Sequence, residues 1–163
     1  MELLDLYDNY GNKLDKTIVR GEVPNEGENI MLSVAFIKNI EGNYLIQKSS
    51  AEKGGNYTST GGHVIHNEDS YTTIIREVAE ELGLTNIEDK IKHIKTFKYP
   101  DRYCLFDVYL IDNINIDISK LKLQTEEVEK VLWLSKKEII ELIDNGSFLE
   151  SHAYIFNNYI IKE

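Results

Sequence analysis

Between Gly62 and Leu84 the chain reads GHVIHNEDSYTTIIREVAEELGL, and what this stretch can fold into is limited by where its charges fall. At about 100° per residue, Tyr71, Ile75, Val78 and Leu82 make one apolar stripe, spaced as a helix that packs on a sheet. Glu77, Glu80 and Glu81 stand at i, i+3 and i+4 on the opposite face, close enough to repel one another. A solvated face gains nothing from such crowding, whereas a divalent cation turns it into a ligand set. Oxygen-only donors suit Mg²⁺ or Mn²⁺, and no cysteine lies nearby to favour zinc. His63 and His66 fall in the preceding loop and border the expected site.

The same residues form a spaced pattern. Gly62, five residues, Glu68, seven residues and then Arg76-Glu77-Val78-Ala79-Glu80-Glu81-Leu82-Gly83-Leu84 resembles the Nudix box at every specified position. The resemblance implies metal ligands at Glu77, Glu80 and Glu81, helped by a backbone carbonyl near Gly61 or Gly62. It also implies that Glu68 and Arg76 brace the loop against the helix, and that Gly83 closes the helix. An EEV sequence before a tryptophan-containing strand is likewise similar to Nudix hydrolases that draw a further glutamate from that loop. Glu127 is the candidate, with Glu126 second. Lys48 ends the strand before the box, where a basic residue often faces substrate in such proteins, and Lys98, Arg102 and His63 are the other candidates for holding it.

A chain of 163 residues with 42% apolar content suits one domain with a real core. Residues 1–28 are expected to form a hairpin extension packed on it. A formal charge of −10 without a basic stripe argues against nucleic-acid polymers, so any phosphate must enter through metal. The one cysteine, Cys104, forms no intramolecular disulfide and reads as a buried thiol in a reducing compartment. With an acidic N-terminus and no long apolar run, the expectation is a cytoplasmic protein, away from membranes. A small nucleoside-diphosphate-type molecule is the expected partner, and a homodimer is the one assembly entertained.

Taken in order, Leu3 to Tyr7 and Lys16 to Arg20 flank the turn cluster DNYGN, predicting a hairpin. Strands follow at Met31 to Lys38, apolar enough for burial on both faces, and Tyr44 to Lys48. Ser70 is the expected N-cap of the box helix. Strands at Ile91 to Tyr99, Tyr103 to Ile111 and Val128 to Leu134 come next, then a helix from Lys136 to Asn145 capped by Ser135, and a last helix near Leu149 to Ile161. One crossover among many strands predicts an α/β (α+β) fold, a mixed sheet sandwiched between helices.

The chemistry that follows is metal-dependent hydrolysis of a pyrophosphate bond in a nucleoside diphosphate linked to a group X, with Glu80, Glu127 or Glu126 as proton acceptor. From about residue 4 to 140, through LYDNYGNKLDKTIVRGEVPNEGE, LIQKSS and GGHV, the chain also resembles the branch of the family related to isopentenyl-diphosphate isomerase, which supplies an alternative reaction class. That family uses a cysteine before its Gly-His pair, where this chain has Gly61 before Gly62-His63. A non-catalytic nucleotide-binding domain is the third reading, and it would be marked by decay of glutamates that are all present.

Overall fold

The computed structural model describes residues 1–163. Strand β3 (Ile30–Asn39) is its central element, and its alternation shows why the sheet is covered twice. Val34 and Phe36 enter one apolar cluster, while Ala35 and Ile37 enter another on the opposite face. Beside β3 runs β8 (Cys104–Ile114), parallel and in register from Ile30 opposite Cys104 to Ile37 opposite Ile111. The remaining ladders are antiparallel. β4 (Tyr44–Ser49) meets β3 at Lys38 opposite Tyr44, β6 (Thr60–His63) lies along the first half of β3, and β7 (Ile91–Lys98) pairs with β8. β5 (Tyr57–Thr58) and β9 (Val128–Leu134) pair with β4 and complete a seven-stranded mixed sheet.

Helix α1 (Ser70–Leu82) covers one face through Ile74, Val78 and Leu82, each fully buried. Complete burial of such side chains is worth about 1.5–3 kcal/mol apiece. This corrects the expected stripe by part of a turn: Tyr71 stays 40% exposed and Ile74 takes the central place. The N-cap is also one residue earlier than expected, with Asp69 Oδ1 accepting from the Thr72 amide at 2.7 Å. Ser70 instead turns its hydroxyl toward Asp107 and Tyr109 on β8.

The opposite face is covered by α2 (Lys136–Asp144), α3 (Glu150–Ile155) and the π-helical turn Phe156–Ile160. Ser135 and Glu138 form a reciprocal capping box at the start of α2. The expected single last helix therefore splits into an α-turn and a wider one, which lets Phe156 and Ile160 both reach the core at 0% exposure. No helix is long and apolar enough to cross a membrane.

The N-terminal hairpin consists of β1 (Leu3–Tyr7) and β2 (Lys13–Val19), the second strand starting three residues before the sequence suggests. It is fastened to the loop before α1. The His66 amide donates to the Leu3 carbonyl at 2.9 Å, Asp5 accepts from the Asn67 amide at 3.0 Å, and Asp5 also contacts His66 Nδ1 at 2.7 Å.

His152 on α3 is 8% exposed, with the hydroxyls of Thr58 and Ser59 both 2.7 Å from Nδ1. Burial pushes its pKa from 6.5 down to about 4. The unfolded chain therefore binds this proton first as pH falls, so the stability tied to neutral His152 is intact above pH 6.5 and is lost progressively down to about pH 4. Chemical denaturation of wild type and His152→Gln at several pH values should show the gap between them narrowing across that window, by a total on the order of 3 kcal/mol. A gap independent of pH would rule out a neutral buried imidazole.

Candidate active site

The acidic face of α1 opens on a cleft of about 250 Å³ that has no apolar lining residue. Its walls are Gly61, Gly62 and His63 from β6, Arg76, Glu77, Glu80 and Glu81 from α1, Gln124 and Glu127 from the segment before β9, and Glu2 and Arg20 from the N-terminal hairpin.

Arg76 organises the carboxylates. Its Nε and Nη2 donate to the two oxygens of Glu68 at 3.1 and 2.9 Å, a bidentate pair, while Nη1 donates to Glu77 Oε1 at 3.0 Å and Glu80 Oε2 at 3.3 Å. Glu68 also accepts from Thr73 Oγ1 at 2.6 Å, so loop and first helical turn are locked together. Hydrogen bonds from Arg76 hold the Glu68 carboxyl below its usual range. Glu81 is displaced the other way: burial and the neighbouring Glu77 charge push its carboxyl well above the ordinary carboxylate range. Glu77 is raised as well, chiefly by burial. Both shifts favour the protonated carboxyl, and a bound cation would reverse them.

Whether the residues fit such a cation is tested by Glu81, whose buried Oε2 receives no N–H or hydroxyl donor, while its carboxyl shares a hydrogen bond with that of Glu77. A buried carboxyl oxygen with no such donor is expensive to leave unpaired, and an ion would satisfy it while releasing the proton that burial favours. The glutamates do not form a ready-made cage, since no three acidic or histidine side chains have metal-holding geometry as they stand. Arg76 draws Glu77 and Glu80 toward itself, so closing a ligand set asks those two side chains to turn away from the guanidinium.

The glycines have steric reasons. A Cβ at Gly61 would strike the Ser33 carbonyl of β3, and a Cβ at Gly62 would strike the Glu77 carboxylate. Gly83, at φ +68°, closes α1 by donating to the Ala79 carbonyl at 2.9 Å, and a Cβ there would come within 2.9 Å of Lys122 Cβ. That closeness matters because the segment after Lys120 is stitched onto the helix end. The Lys122 amide donates to the Leu82 carbonyl at 3.1 Å and the Gln124 amide to the Glu81 carbonyl at 3.0 Å, which carries Glu127 to the cleft.

Not every candidate converges. Lys48 lies outside the cleft and pairs with Glu129 at 3.1 Å, because on β4 it points with Tyr44 and Ile46 to the face away from α1. Its neighbour Gln47 has the opposite parity, is 3% exposed, and donates to Thr60 Oγ1 at 2.8 Å and Glu81 Oε1 at 3.5 Å. Arg102 and Lys98 border a separate hollow with Glu26, Asp101 and Tyr103, at the far end of the β7–β8 hairpin. Glu126 does not line the cleft, although its carbonyl accepts from Ser50 Oγ at 2.9 Å. His66 is spent on Asp5, while His63 does line the cleft, its imidazolium disfavoured first by burial and then by Arg20. Sequence reasoning missed Gln47, Arg20, Glu2 and Gln124. Counting strand parity from Leu45, on the α1 side, would have selected Gln47.

A family model described as NUDIX domain matches residues 31–154. An uncharacterized Nudix hydrolase of Listeria innocua is 32% identical over 166 residues, covering 99% of this chain and 95% of that protein. A solved structure from Deinococcus radiodurans superposes with a TM-score of 0.80 at 20% identity, covering 96% of this chain and 98% of that one. A bifunctional NMN adenylyltransferase/ADP ribose pyrophosphatase from Francisella tularensis, solved with AMP and a Mn ion, gives 0.66 at 21% identity over 84% of this chain and 41% of that one. At these identities the structural likenesses concern the fold.

Gly62→Ala tests the steric argument, since the added methyl displaces the Glu77 carboxylate. Turnover should fall about a hundredfold while the melting temperature moves by only a few degrees. Unchanged turnover would show that Glu77 does not need its position against β6.

Proposed function

Because the chain belongs to the Nudix family and is a Nudix pyrophosphohydrolase, we propose that it hydrolyses a pyrophosphate bond in a nucleoside diphosphate linked to a second group, and that it needs Mg²⁺ or Mn²⁺ to do so. The observation that carries the metal is the buried Oε2 of Glu81, which receives no N–H or hydroxyl donor and lies beside the half-buried carboxyl of Glu77. Glu77, Glu80 and Glu81, with a backbone carbonyl at Gly61 or Gly62, would hold the ion, which when bound neutralises diphosphate charge and makes a water more acidic.

The protein side chains supply the rest. Gly61 and Gly62, lacking side chains, let β6 lie close against β3 and leave room for the Glu77 carboxyl beside the cleft. Glu127, held on the segment stitched to the end of α1, takes the proton as a water oxygen bonds to phosphorus. The bridging phosphorus–oxygen bond then breaks, and the departing phosphate keeps its electron pair. Glu80 is the second candidate for the proton; each of the two carboxylates has one cationic partner, Arg76 at 3.3 Å for Glu80 and Lys53 at 3.4 Å for Glu127. Arg76 stays anchored on Glu68 through its other donors, so it can release Glu77 and Glu80 to an ion without leaving the helix.

The isomerase alternative loses support from the position of Cys104. The thiol sits at the start of β8 against the cluster under the C-terminal helices and outside the cleft, so it is not placed to move a proton there.

Glu77→Gln and Glu81→Gln should each lower turnover by about two orders of magnitude or more, and excess chelator should abolish activity. Glu127→Gln should cost about 10²–10⁴ in turnover with KM within a few-fold. A wild-type rate for Glu127→Gln beside an inactive Glu80→Gln would move the proton acceptor onto the helix. Incubation with isopentenyl diphosphate in deuterated water should give no conversion to dimethylallyl diphosphate, and deuterated product appearing at even about 1 s⁻¹ would overturn the hydrolase reading.

A further inference from the structure

Two guanidinium groups line the cleft, and they are in opposite states. Arg76 is committed to three carboxylates through four hydrogen bonds. Arg20 has one side-chain partner, Glu2 Oε1 at 3.0 Å, and both members of that pair are well exposed, at 54% and 41% of their side-chain surface. Ion pairs this exposed are weak and readily exchanged. Most of the Arg20 donor fork therefore remains open to the cleft, whose other charged walls are all glutamates apart from Arg76.

Its placement is built rather than incidental. The Arg20 amide donates to the Glu2 carbonyl at 2.9 Å and closes the open end of the β1–β2 ladder, where Leu3 pairs with Val19. Strand β1 is in turn bridged to the loop before α1, Leu4 opposite Ile65, and anchored by the contacts of Asp5 and Leu3 with His66 and Asn67. The hairpin end is thus fixed against the same loop that leads into the glutamate helix. A guanidinium is suited to this position because its planar fork matches two phosphate oxygens at once.

We propose that Arg20 is a substrate-binding residue which grips a phosphate oxygen of the diphosphate on the side of the cleft facing the N-terminal hairpin, and that Glu2 holds its place until substrate enters. This rests on the pyrophosphohydrolase reading given above. It makes the hairpin part of the active site, and it makes phosphate recognition depend on a segment preceding the matched family region at residues 31–154.

The test uses the full chain and imidodiphosphate, a non-hydrolysable diphosphate, titrated by calorimetry in the presence of Mn²⁺. Arg20→Gln should weaken imidodiphosphate binding about tenfold or more and raise KM for any cleaved substrate by a similar factor, with kcat within a few-fold and Mn²⁺ affinity, read by electron paramagnetic resonance, unchanged. Arg20→Lys should recover part of the loss. Glu2→Gln breaks the same ion pair from its other side, and it should bind imidodiphosphate as tightly as wild type or a few-fold more tightly. If Glu2→Gln weakens binding as much as Arg20→Gln does, the pair merely shapes the hairpin and the proposal fails. Equal imidodiphosphate affinity in wild type and Arg20→Gln overturns it too, whatever the catalytic assays return. A wild type that binds imidodiphosphate through Arg20 yet cleaves no diphosphate supports the proposal while removing the hydrolase reading, so the two fail separately.

Discussion

Crowding three carboxylates on one face of a helix is unfavourable, and much of this protein's architecture around α1 serves to hold that crowding in place. Arg76 spreads its positive charge over Glu68, Glu77 and Glu80, and thereby ties the loop before the helix to the helix itself. Glu81 lies beyond its reach, buried against Gln47 and Glu77, and is left with an unsatisfied oxygen. The resulting deficit is local: one more positive charge placed at Glu77 and Glu81 would satisfy the orphaned atom and relieve the repulsion together. Stability and function thus pull against each other at Glu81, as is common where a site is held ready for a charged ligand.

Strand parity decides which side chains join that helix. On β3 and β4 neighbouring residues serve opposite layers, so Leu45 and Gln47 look toward α1 while Tyr44, Ile46 and Lys48 look toward the C-terminal helices. A basic residue at the end of β4 is therefore unable to reach the glutamates, and an amide takes that role. Gln47 donates to both Thr60 and Glu81, linking strand β4 to the glycine strand β6 and the helix across the sheet surface.

The hairpin at the N-terminus brings a third layer of control. It pairs within itself and reaches the rest of the fold mainly through β1, by the bridges Leu4 to Ile65 and Tyr7 to Asn29 and by the contacts of Asp5 with His66 and Asn67. Those few contacts set where Glu2 and Arg20 stand relative to a cleft otherwise built from the central domain. His66 belongs to this fastening rather than to the cleft, although in the sequence it lies as close to the box as His63 does.

The box itself was legible in the sequence because its constraints are local. Helix spacing places Glu77, Glu80 and Glu81 on one face, and glycine at 61, 62 and 83 answers to close backbone approach and a left-handed φ that other residues resist. The mixed sheet between helices was also readable, from one long helix among many strands and from an apolar run at β3 too continuous for a one-sided sheet. What only the tertiary structure decided are the relations between segments distant in the chain. These include the inward turn of Gln47 in place of Lys48, the removal of Arg102 and Lys98 to the far hairpin, and the choice of Glu127 over Glu126 at the cleft. The arrival of Arg20 from a hairpin more than forty residues before the box is of the same kind. Such relations depend on register and on backbone hydrogen bonds between elements. A one-residue change in register reverses the face of every side chain while leaving composition and local pattern untouched, so no local reading of this sequence settles them.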